Sequence, residues 1–158
     1  MEDFIGWLEN TQVSSDIQNI TWIIPTVQSI HIFAVCVVVS SVMLLNLRMA
    51  GIIGGGETVG AFTRRYLPWV WIALAVLLTT GSILIVGEPR RDLFNPTFWT
   101  KMSLLVGAVA ITFIVERAIT KNEHYWDKRQ FLARALATIA MIFWICIVLC
   151  GRWIAYTY

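Results

Sequence analysis

The side chains able to do chemistry within the apolar parts of this chain are few. His31 stands in a run without formal charge that covers residues 17–47. Lys101 and Met102 open a later apolar run, and Cys146 and Cys150 lie four apart in the last one, on one face of a helix. An imidazole in such a run offers a ligand for haem iron or another metal, or a proton acceptor in a quinone or ion pathway. Soft thiols suit Cu(I), with Met102 and His31 as further ligands. Lys101 and Arg152 suit haem propionates or an anionic headgroup, and Gly81 would admit a flat cofactor.

Each of these residues also has a purely structural reading, and both stand open at this point. His31 is equally a neutral histidine hydrogen-bonded across helices. Cysteine packs as a small apolar residue, cations snorkel to the surface, and glycine lets helices approach closely. There is no Ser-His-Asp set, paired-carboxylate arrangement or zinc spacing, so no reaction is assigned. The run Gly51-Ile52-Ile53-Gly54-Gly55-Gly56 lacks the Lys-Ser/Thr ending of a phosphate loop and reads as a flexible connector. Glu88-Pro89-Arg90-Arg91-Asp92 reads as a solvated turn with internal charge pairing, and His124, beside Glu123 and Asp127, as solvated. Asn19-Ile20-Thr21 matches a glycosylation sequon, a pattern common by chance.

The elements that position these groups follow from composition. Of 158 residues, 58% are hydrophobic and 14% charged, against roughly 25% charged in a soluble domain. That places the chain in the bilayer, as one all-α domain over residues 1–158 with no room for a soluble catalytic unit. A net charge of +2 is too small to argue for nucleic acid, and none is expected as a partner. The acidic start, Met1-Glu2-Asp3-Phe4, lacks the basic region of a signal peptide, so no cleaved leader is expected. Three cysteines inside apolar runs make no disulfide framework.

Four spans are expected, at about residues 25–47, 67–87, 97–115 and 135–151, each near the roughly 20 residues a bilayer crossing needs. Pro25 divides the first uncharged run, because proline removes a backbone donor and disfavours helix before it. Residues 1–24 are then an interfacial segment, with Phe4, Trp7 and Leu8 on one face of a short helix resting on the membrane. Asn95-Pro96 is a cap followed by proline at the first helical position. Short connections favour an antiparallel four-helix transmembrane bundle.

One set of loops carries eight basic residues: Arg48, Arg64, Arg65, Arg117, Lys121, Lys128, Arg129 and Arg134. The other carries four, Arg90, Arg91, Lys101 and Arg152, together with most of the acids. The positive-inside rule then predicts both termini outside the cytoplasm, in a multi-pass inner-membrane protein. A rise of 1.5 Å per residue sets His31 about 7 to 8 Å outward of the midplane. Gly81, Lys101, Met102, Cys146 and Cys150 fall near the same level, with Arg152 just above.

Several local patterns, in order, resemble a family of small bacterial inner-membrane proteins with four spans and no established function. They are Trp7-Leu8-Glu9-Asn10-Thr11, the stretch from Pro25 to His31, and Leu45-Asn46-Leu47-Arg48-Met49-Ala50-Gly51, where Asn46 replaces the family's usual aspartate. Thr80-Gly81, Asn95-Pro96-Thr97-Phe98-Trp99-Thr100-Lys101 and Gly151-Arg152-Trp153 complete the match across the chain. More loosely, the arrangement is similar to copper-resistance membrane domains and to cytochrome b561-type haem bundles. That likeness implies histidine ligands on the helices and a redox or metal role. The chain departs from the cytochrome pattern in having no second histidine within a span. Haem b would need His31 with Met102, five-coordinate iron, or His31 from two chains.

Three functions compete. One is a b-type haem bundle that transfers electrons. Another is a non-enzymatic subunit or homo-oligomeric scaffold that joins a further membrane or periplasmic protein. The third is copper or small-ion handling by His31, Met102, Cys146 and Cys150.

Overall fold

In the computed structural model the described residues are 2–122, 124–154 and 156, with the side chain of Phe4 left aside. Among these residues eight helices follow one another: α1 (Glu2–Glu9), α2 (Gln12–Asn19), α3 (Ile23–Met49), α4 (Val59–Gly87), α5 (Pro89–Leu93), α6 (Pro96–Lys121), α7 (Tyr125–Lys128) and α8 (Gln130–Trp153). The four long ones, α3, α4, α6 and α8, are apolar and long enough to cross a bilayer. Their outward faces carry Phe33, Leu78 and Val106 at about 70% exposure or just below. Large apolar side chains that open in mid-helix have lipid as their solvent. The chain is an all-α, multi-pass membrane protein.

The spans are longer than the uncharged windows that announce them. α4 has 29 residues and begins at Val59 rather than Leu67. At 1.5 Å per residue it measures about 43 Å, the bilayer with its headgroups. Charge ended the apolar window at Arg65, but an arginine at a helix end reaches outward along its stem, so the helix runs on. The Thr58 side chain accepts from Ala61 N–H at 3.0 Å and sets the start. Pro68 is therefore interior. α6 likewise passes residue 115, and α8 begins at Gln130. α3 begins at Ile23, two residues before the expected start, and Pro25 sits in its first turn, where the missing donor has no intrahelical partner to lose.

α3 packs most closely on α4, α6 on α8, and α3 against α8 joins the two pairs. Val38, Val70, Ala108 and Trp144, one from each long helix, are buried in the shared core. The close α6–α8 approach depends on Gly107, where a Cβ would stand 2.6 Å from the Phe143 ring.

Residues 2–19 hold two helices that fold over one end of the bundle. α1 packs on α5, and α2 on α4 and α3. Ile5 is 1% exposed while Trp7 stays open, and Glu9 pairs with Arg90 at 2.6 Å. The Gln18 side-chain amide donates to the Gly87 carbonyl at 2.8 Å. The face expected to carry Phe4 with Trp7 falls partly outside the described side chains. Ile5, which that expectation did not use, is what anchors α1.

Candidate functional site

His31 lies in the third turn of α3, half-buried against α4. Its Nδ1 is 2.7 Å from Thr80 Oγ1. The Thr80 hydroxyl in turn donates to the Val76 carbonyl at 2.7 Å. A hydroxyl has one proton, and that one is directed at Val76. Nδ1 must then be the donor, and the imidazole carries its proton there. Nε2 keeps a bare lone pair, and among the described residues it has no hydrogen-bond partner. A Cβ on Gly81 would stand 3.5 Å from His31 Cε1, so the glycine lies alongside the ring and leaves that flank open.

Lys101, in the second turn of α6, reaches across to α8, with Nζ 3.7 Å from the point where Gly151 would carry a Cβ. It lies near His31, Cys150 and Asp92 of α5. Burial holds the Asp92 carboxyl above its ordinary range, an effect that Arg91 and Lys101 partly offset. Met102 is half-buried one residue on.

Arg152 and the two cysteines are the other expected members. Arg152 is exposed, with its guanidinium over the Tyr156 ring at 4.9 Å and a hydrogen bond to the Tyr156 hydroxyl. Cys146 and Cys150 are half-buried free thiols one turn apart. Among the described residues no three His, Cys, Asp or Glu side chains converge as a metal cage, so His31, Cys146 and Cys150 do not meet as a set.

The opposite end of the bundle holds a polar cluster that the sequence reading passed over as loop. Arg48, in the last turn of α3, donates to the Glu57 carbonyl and lies 4.0 Å from Asp127 Oδ1. Asp127 also accepts from Val59 N–H, at the start of α4. His124 Nδ1 is 3.7 Å from the other carboxylate oxygen, so this histidine is paired as well as exposed; its neighbour Glu123 lies outside the described residues. The glycine run is a built feature here. Gly51 has φ +81°, and with Ile52 N–H on the Leu47 carbonyl at 3.0 Å it closes α3. Gly54 has φ +73°, and a Cβ there would meet Arg48 Cδ at 2.8 Å. The run of charge after α4 is also split: Arg91 pairs with Glu88 at 2.5 Å, while Arg90 turns to Glu9.

Thr80 was quoted above only as part of a pattern. Its signal was its level beside Gly81, one helix away from His31. Asp127 was legible only as a neighbour of His124, because its other partners come from α3 and α4.

The chain belongs to DUF6644, a family of unknown function, which it matches over residues 4–157. Neither the curated proteins nor the solved structures include a match to it.

Proposed function

We propose that this member of a family of unknown function is a membrane bundle that holds a b-type haem at its His31 end and passes electrons through it. The observation that carries the reading is the His31–Thr80–Val76 chain of hydrogen bonds, which leaves Nε2 as a lone-pair donor at an apolar depth. Ligand histidines are commonly set in this way, with the second ring nitrogen donating to a fixed acceptor. Gly81 leaves the ring's flank open, and Lys101 supplies a cation for a carboxylate. When bound, the haem would supply one-electron chemistry. The chain's own part is to hold the tautomer, exclude water and balance charge.

With one histidine per chain at this depth, any second ligand to the haem would come from Met102 or from the His31 of a second copy. The loop charges support both termini on the non-cytoplasmic face, with His31 in the outer half. The test is an absorption spectrum of the protein purified in detergent. The reading expects a Soret band that His31→Ala abolishes, and a haem-to-protein ratio that separates one chain per haem from two. No band, and none gained on adding haem, overturns it.

The same bond also favours a second reading, a non-enzymatic subunit in which His31 and Thr80 tie α3 to α4. In that case His31→Ala disrupts assembly with a partner or a second copy, and no spectrum changes.

A further inference from the structure

The cluster at the far end from His31 encloses a cavity of about 230 Å³, open on one side, between the end of α3 and the starts of α4, α7 and α8. Its walls include Arg48, Gly51, Asp127, Gln130 and Arg134. Arg48 is 12% exposed at its side chain, and its Nε is buried without a hydrogen-bond partner among the described residues. Asp127 Oδ2 is a buried acceptor in the same condition, with only His124 facing it, at 3.7 Å. Arg134 is exposed on the rim and has no ion pair among the described residues. Its Nη2 reaches over Gly51, 3.6 Å from where a Cβ would be.

A buried donor and a buried acceptor without partners, on two residues that line a polar cavity, each cost free energy unless a small shift lets something pair with them. Two guanidiniums that converge on a cavity suit a tetrahedral oxyanion, because each presents a fork of donors. The space holds such a group with a few waters, at about 30 Å³ per water. Plain phosphate would meet the arginines and be repelled by Asp127. A phosphate ester with a neighbouring hydroxyl or amine satisfies both walls, since the donor on its alcohol part can serve Asp127. Arg48 closes a helix about 40 Å long, which sets the cavity at headgroup depth when α3 spans the bilayer.

We propose that this cavity binds a phosphate ester that carries a hydrogen-bond donor. Arg134 and Arg48 hold the phosphate, and Asp127 with Gln130 takes the donor. A phospholipid headgroup and a soluble phosphate ester share this chemistry.

The full-length protein in nanodiscs separates the two sources. Phosphatidylglycerol, titrated into a phosphatidylcholine background and read by native mass spectrometry, should bind with a preference that phosphatidylcholine, which has no donor, does not share. Arg134→Gln should weaken that binding on the order of tenfold, the worth of one charge-assisted bond. Arg134→Lys should recover part of it. Arg134 is on the rim, so neither change should alter the thermal midpoint of the lipid-free protein. sn-Glycerol 3-phosphate in solution is the other arm. If it binds with the same dependence on Arg134 and the lipid does not, the site is for a soluble ester. Equal binding of phosphatidylcholine and phosphatidylglycerol, unchanged affinity in Arg134→Gln, or no binding of either probe overturns the proposal.

Discussion

The two ends of the bundle handle polar groups in opposite ways. Around His31 one neutral hydrogen bond links α3 to α4, and a single cation approaches from α6. Around Asp127 an ion pair with Arg48 leads, and the Val59 N–H and His124 also face the carboxylate. The depth of each site explains the contrast. Within the span a charge is expensive, so an imidazole held in one tautomer by a threonine is the economical way to present a lone pair. At the boundary, water and headgroups lower that cost, and several charges can share a small volume. One end therefore joins two helices through a neutral bond, and the other ties α7 to the end of α3 and the start of α4.

If that contrast holds, damage to the ionic end should cost more stability than damage to the neutral one. Asp127→Ala leaves the Arg48 guanidinium without its counter-charge and Val59 N–H without its acceptor. With allowance for a carboxylate about one-third exposed, the expected loss is roughly 2 kcal/mol. Thermal unfolding in detergent checks it, and a midpoint equal to wild type would show that Asp127 does not tie the helices.

The His31 end should respond less. Thr80→Val removes the acceptor and keeps the shape. A double-mutant cycle with His31→Ala should return a coupling of about 0.6 kcal/mol, typical of hydrogen bonds between membrane helices. Zero coupling would mean that Thr80 does not position the imidazole.

The smallest effect concerns Asp92, whose carboxyl burial raises above its ordinary range. The folded protein then binds this proton more readily than the unfolded chain does. As pH falls from neutral toward the raised value, the native state takes up the proton first and gains stability; as pH rises the gain is lost. Asp92→Asn should flatten this small contribution in a comparison of unfolding midpoints between neutral and mildly acid pH. A pH profile that matches wild type would place Asp92 in water.

Much of this architecture was legible in advance. Lipid demands long apolar helices, and Asn95-Pro96 marks where α6 starts because its cap and its proline act locally. The helix ends were less legible. Hydropathy stops at a charge, whereas α4 runs on through Arg64 and Arg65 to its cap at Thr58. The N-terminal segment was amphipathic by pattern, but its folding onto α5 depends on Ile5 finding a partner from residues far along the chain.

For the sites, sequence alone determined which groups exist, and helical rise gave the depth at which to expect them. His31 is the imidazole of an uncharged run, with Lys101 and Met102 expected near its level. Tertiary structure decided which of them meet. Helix register put Thr80, rather than a thiol or thioether, against Nδ1, and so set which nitrogen is bare. It turned Arg152 away to Tyr156, and it closed Arg48, Asp127 and Arg134 around one cavity. The physical reason is one of range. Span, cap and depth depend on neighbours within a turn or two of helix and on the solvent around them. A contact between helices depends on rotation and register, which the packing of all four helices sets together.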